Sequence, residues 1–233
     1  MKITNCKTQN HPLLFQGLQE NLAMGKEVTR EFRKEFGRLH SSSWVDTLLS
    51  RRGGFWNAPY KMIELRDKYT LQAQLLRGDK NAFYKEKFNS YEDFIEQLKL
   101  RMKKYKSGNC VEQAYIISDM LEKMKIKSKQ LILNLYLKDS DDEIPKGIRH
   151  VVNIANHAEP FKVSKPNQWG EDAVIIDTWG ISNGTIKAKD APAYYRDLFQ
   201  KSADRYKFVP ELSTCKLVNN ELVIKRGNNL VKL

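Results

Sequence analysis

A cysteine, a histidine and an aspartate stand in this chain where each could serve one reaction. Cys110 follows Gly108 and Asn109 in "KSGNCVEQAYIISDML", at the first turn of an amphipathic helix. The unpaired N–H groups and positive dipole end of a helix start favour an anion, and the thiolate is the nucleophilic form of cysteine. The same N–H groups can hold the negative oxygen of a tetrahedral intermediate. Gly108 permits a tight backbone just before the helix. For the cysteine taken alone, a small residue closing a core is the commoner case.

A thiol nucleophile needs a base, and four histidines are available. His11 precedes a proline near the N-terminus, and His40 sits at a helix end before serines. His150 opens the strand-like run "RHVVNI", where a sheet rim exposes the side chain while the backbone holds it. His157 lies past the end of that run and is the weaker candidate. The base in turn needs an orienting group. Asp177 follows four apolar residues in "AVIIDTWG", and a carboxylate ending a buried strand is costly unless it is paired. By triad geometry, its partner would be the Nδ1–H of an imidazole. The competing reading is a turn aspartate that caps "TWGISNG". Neighbouring antiparallel strands would set His150 beside Asp177, with the helix of Cys110 packed on the same sheet.

The surrounding pattern supplies such elements. The first half is helical by spacing, in "HPLLFQGLQENLAM", "KEVTREFRKEFGRL", "SSSWVDTLLS" and "YKMIELRDKYTLQAQLL", with a break at "RRGGFWNAPY". In "NSYEDFIEQLKLRMKKY", Ser90 and Asp93 form a capping-box start, and Phe94, Leu98 and Leu100 supply an apolar face. The helix from Cys110 carries Val111, Tyr115, Ile116, Met120 and Met124 as a buried stripe. Then the character changes. "KQLILNLYLKD", "HVVNIANH" and "DAVIIDTW" are β-branched and apolar, and the acidic loop "DSDDEIPKG" joins the first two. "APAYYRDLFQKSADRYKF" reads as helix, "CKLVNNELVIK" as a hairpin turning at Asn219-Asn220, and "NNLVKL" as a last strand. Helices first and strands later predict an α+β fold. An N-terminal helical region, residues 1–89, precedes a core at 90–233, or the two form one continuous domain.

Composition limits the partners. At 233 residues the chain can bury a substantial core, and no apolar run approaches the length of a membrane span. The N-terminal stretch has no secretory-signal pattern, so a cytoplasmic protein is expected, or one delivered by a route that needs no signal peptide. Three cysteines, with no CxxC or HxxxH pair, argue against a disulfide scaffold and a zinc site, and the chemistry calls for no cofactor. The net charge of +12 is uneven: residues 1–109 hold 21 Lys and Arg against 12 Asp and Glu, and residues 110–233 hold 19 against 16. A solvated Lys-rich surface is the plain explanation, and an acidic protein partner the functional one. "RRGGFW" alone is weak support for nucleic acid. "NGT" at 183–185 matches a glycosylation acceptor without a signal to support its use, and "DSDDE" lacks calcium-loop spacing.

"GNCVEQA", "RHVVNIAN" and "VIIDTWG" together resemble the transglutaminase-like and papain-like thiol enzymes, over residues 106–180. Trp179 completes an Asp-x-Trp arrangement similar to that of transglutaminase-like sequences. The resemblance implies a central helix packed on an antiparallel sheet. It implies Cys110 as nucleophile, His150 as general base and acid, and Asp177 as the residue orienting His150. It also implies a protein substrate and, since small enzymes of this type occur among bacterial toxins and effectors, a host target. The chain departs from the papain pattern, because "RMKKYKSGN" holds no glutamine for an oxyanion hole. Asn109 is one substitute and the Cys110 backbone N–H with an upstream donor the other, with Trp179 as a further oxyanion or substrate-binding residue. The tryptophan that transglutaminases place upstream of the cysteine would be Trp44 or Trp56. A glutamine deamidase or transglutaminase is the leading expectation. A papain-like cysteine protease is the alternative, and a basic, non-enzymatic binding module for an acidic protein or nucleic acid stands outside the enzyme class.

Overall fold

Runs such as "LILNLYL" and "VVNIA" bury both faces of a strand, and a strand so made needs cover on both sides. A computed structural model supplies that arrangement, describing residues 17–37, 39, 87–106, 108–138, 147–179, 184–226 and 229–232. Helix α1 spans Leu18–Phe36, α2 Tyr91–Tyr105, α3 Cys110–Lys123 and α4 Ala191–Leu198. The strands are β1 Ser128–Leu137, β2 Gly147–Ala155, β3 Val174–Ile176, β4 Thr185–Lys187, β5 Tyr206–Val218, β6 Glu221–Arg226 and β7 Asn229–Lys232. They form one sheet in the order β4-β3-β2-β1-β5-β6-β7, with every neighbouring pair antiparallel. The fold is α+β.

Alternation along the strands divides the core into two layers. On one face, Met24, Val28, Phe32 and Phe36 of α1 share a cluster with Phe94 and Leu98 of α2, Tyr115 and Ile116 of α3, and Val174 and Ile176 of β3. On the other, Leu131, Leu133, Val152, Ile154 and Ile175 pack with Trp169 and with Tyr195 of α4. Helix α1 therefore lies in the same core as β3, a strand far along the chain. It crosses β3 and β4 very closely. A Cβ on Gly25 would lie 2.6 Å from Thr185 Oγ1, and Gly184, at φ +76°, faces Thr29 across the same contact.

Local signals mostly hold. Ser90 Oγ accepts the Asp93 N–H at 3.1 Å and starts α2. Asn219 and Asn220 take left-handed φ values of 53° and 66° between β5 and β6, as their turn requires. The helical stretches "HPLLFQGLQENLAM" and "KEVTREFRKEFGRL" contribute to one helix, with Gly25 in its interior. Four expectations need correcting. Leu100 points outward at 59% exposure, and Met124, which caps α3, is 38% exposed. "APAYYRDLFQKSADRYKF" is helical only to Leu198, because Tyr206 onward pairs with β1. Gly108 is not among the glycines with positive φ; its lack of a side chain instead makes room for Met102 Cε, 2.8 Å from where a Cβ would stand. His11, His40, Trp44, Trp56, Cys6, Asn183, "RRGGFW", residues 139–146 and the stretches read as helical between residues 40 and 86 lie outside the described residues.

Candidate active site

β2 and β3 pair only from Asn153↔Ile176 to Ala155↔Val174. The ladder stops short of His150, and the chain after Ile176 is free to turn. Asp177 begins that turn, and its own N–H is held by Gly184 O at 2.9 Å. Gly184 O also accepts Thr29 Oγ1 at 3.3 Å. The close passage of α1 thus anchors the backbone from which the carboxylate projects.

His150 faces the Tyr195 layer, by alternation with Val151, which packs with Ala114 and Cys110 beneath α3. Its Nε2–H donates to Asp177 Oδ2 at 2.7 Å, and both side chains are almost wholly buried. The pairing corrects the expected Nδ1 contact. Cys110 lies close enough to the imidazole to favour its charged form. Burial by itself would discourage a charge on this ring. The Asp177 carboxylate, its hydrogen bond and Cys110 outweigh burial and raise the His150 pKa to about 10.

A buried carboxylate must be satisfied, and Asp177 is. Besides His150, the Tyr195 hydroxyl donates to Oδ2 at 2.8 Å and the Trp179 backbone N–H to Oδ1 at 2.9 Å. Tyr195 is fully buried, and burial followed by the nearby carboxylate pushes its own pKa well up, so it remains a proton donor. Sequence reasoning missed Tyr195. Nothing in "APAYYRDL" distinguishes it from an ordinary core aromatic. The Trp179 ring lies 4.9 Å from the His150 ring and stacks on Phe199 at 6.1 Å, which shields the imidazole from water.

Cys110 is the first residue of α3 and is partly exposed. Asn109 caps the helix, and its N–H is taken by Glu112 Oε2 at 2.9 Å, so that group is engaged in holding the helix start. Gln113 was also missed. Its amide N–H donates to Gly108 O at 2.8 Å, and its carbonyl accepts the Thr178 hydroxyl at 2.6 Å. One side chain thus fastens the turn before the cysteine to the loop after the aspartate. Asn153 adds a second tie, donating to Ala114 O at 3.0 Å and holding α3 against β2.

The arrangement can pass a proton between sulfur and imidazole while a fixed carboxylate orients the ring. Beside it lies a cleft of about 390 Å³, lined by Phe32, Arg33 and Leu39 on one side and by Gln113, Thr178 and Trp179 on the other. The structure therefore brings Cys110, His150, Asp177 and Trp179 together, and places Asn109 at the cap of the same helix. His157 is elsewhere, buried at the far end of β2. Among the described residues there is no cluster of side chains suited to a metal ion, and no helix long and apolar enough to cross a membrane. No family model, curated protein or solved structure matches the chain.

Proposed function

We propose that the chain is a thiol-dependent acyl-transfer enzyme acting on a protein amide, with a core of the transglutaminase-like and papain-like kind. The observation that carries this reading is His150, held between the Asp177 carboxylate at 2.7 Å and the side chain of Cys110 in a buried setting. The Cys110 proton already rests on His150, so the sulfur attacks the carbonyl carbon as the thiolate of an ion pair with the imidazolium. The tetrahedral oxyanion is met by the Cys110 backbone N–H, which has no acceptor inside the helix. The imidazolium protonates the leaving nitrogen, the C–N bond breaks and a thioester remains. Water or an amine then attacks the thioester, giving its proton back through His150 and releasing the thiol. Asp177, fixed by Tyr195 and Trp179 N–H, keeps the ring turned towards the sulfur throughout.

Two features favour a glutamine side chain as the amide. Trp179 covers the imidazole in an Asp-x-Trp sequence. Gln113, three residues from the thiol, spends its amide on Gly108 and Thr178, so it is not a papain-type glutamine donor. Incubating the protein with a cell lysate, against Cys110→Ala as control, tests the reading by mass spectrometry. A gain of about one mass unit at glutamine indicates hydrolysis of its side-chain amide, and amine adducts indicate transfer. New peptide termini would replace the glutamine reading with proteolysis. Identical products from both proteins would end the enzyme hypothesis.

A further inference from the structure

The two central strands separate at their end nearest the C-terminus of α3. β1 pairs with β2 from Ser128 onward, but with β5 only from Gln130, opposite Ser213. Beyond Ser213, β5 runs to Val218 paired with β6 alone. Among the described residues, Ser128 and Lys129 on one bank and Thr214 to Lys216 on the other turn strand edges toward each other without a ladder between them. The fork holds a cleft of about 630 Å³. Lys125, Lys127 and Lys129 border it from the β1 side, and Lys216 from β5. Lys127 pairs with Glu159 at 2.8 Å, and Glu122 is the acid on the cleft wall, so the surroundings stay basic.

Gln130 stands where the strands divide. The residue lines the cleft and is 8% exposed; its Nε2–H donates to Ser118 Oγ at 3.0 Å, and its buried Oε1 has no hydrogen-bond partner. A buried carbonyl oxygen left unpaired costs about 1–3 kcal/mol and is met when a donor arrives. The cleft therefore asks for three things: N–H donors, a backbone able to pair with strand edges, and negative charge for the lysines. A polyphosphate brings only charge and acceptors. An extended polypeptide with acidic side chains brings all three.

We infer that this fork is a docking site for an extended acidic peptide segment, which adds a strand between β1 and β5. Ser118, in the cleft wall, lies eight residues after Cys110 on the same helix, about 12 Å along its axis. A protein partner docked there lies along the helix that carries the thiol. The inference stands apart from the catalytic reading, because Cys110→Ala removes any reaction and leaves the fork as it is.

The test uses the full chain carrying Cys110→Ala and a fluorescein-labelled peptide of about ten alternating Glu and Val residues, a length suited to one added strand. Anisotropy should rise saturably. The double variant Lys125→Glu/Lys216→Glu, which reverses two exposed side chains, should weaken binding about tenfold or more. N-methylation of alternate peptide amides should abolish it, since the strand edges then lose their donors. Binding that ignores the charge reversal, or equal binding of the N-methylated peptide, overturns the proposal. So does capture of tripolyphosphate by a chain that does not bind the peptide.

Discussion

His150 and His157 lie along one strand and just beyond it, and both are buried. His150 does not open β2, as its sequence suggested, but is its fourth residue, and there it meets a carboxylate and a thiol that raise its pKa to about 10. Just past the end of β2, His157 offers Nδ1 to Ala158 O at 3.2 Å, meets the Phe161 ring at 4.5 Å in a tilted contact and leaves Nε2 with no partner. Burial, which comes first there, and the nearby Lys127 and Lys129 push its pKa down despite Glu159. Burial alone makes a histidine reluctant to charge; an anion placed against it by a second strand reverses the sign. The difference between the two positions is the neighbouring strand. At His150 the ladder with β3 has ended and Asp177 turns in, whereas at Ala155 the ladder with Val174 is still closed.

The largest effect that could break this comparison is expected from His150→Ala. Cys110 should react with iodoacetamide much faster than Cys215, whose thiol burial raises to about 11, and the variant should erase that preference. Turnover should fall about 10²–10⁴-fold, the usual contribution of a positioned proton-transfer group. Equal labelling of the two thiols in the unaltered protein would remove the basis for a nucleophile.

A smaller change is expected from Tyr195→Phe. It deletes one donor to a buried carboxylate, so chemical denaturation should show a loss of about 1–3 kcal/mol. Activity should drop less than in His150→Ala, because Nε2 and the Trp179 N–H still hold Asp177.

The pH dependence sharpens the contrast further. A folded pKa raised above the ordinary value means the native state binds the extra proton. The stability from His150 is therefore whole below pH ~6.5 and is lost as pH climbs towards about 10. His157 has the opposite slope. Its folded pKa is lowered, so its stabilising effect is present above pH ~6.5 and is lost as pH falls below that value. Imidazole C–H shifts in NMR should show His150 protonated at pH 8 and His157 neutral. A neutral His150 at that pH would sink the ion-pair picture.

The smallest effect should come from His157→Gln. Labelling of Cys110 should stay within about twofold, and stability should shift by about 1 kcal/mol. A large loss of labelling would mean that the two positions are coupled.

The placement of His150 and Asp177 on adjoining strands was legible because strand alternation and an apolar run ending in a carboxylate are local patterns. The start of α3 at Cys110 was legible for the same reason, since the break at "KSGN" and the apolar stripe after it announce it. The choice of Nε2 over Nδ1 was not, because ring orientation follows from where the partner lies rather than from residue type. Tyr195, Gln113 and Thr178 carry no distinguishing sequence context. They matter only because helices and loops 18 and 65 residues from their partners come to lie beside them.

The sequence by itself determined the α+β order of elements, the helix start that carries the thiol and the Asn219-Asn220 turn, since each depends on residues within a few positions of one another. The tertiary structure alone decided how Asp177 is secured and where β1 parts from β5. The first depends on α1 crossing β4 at Gly184, 155 residues from Thr29, and the second on a strand register that stops at Gln130 and Ser213. Contacts so distant in the chain are set by which surfaces fit together once the sheet has formed, and no local pattern encodes that fit.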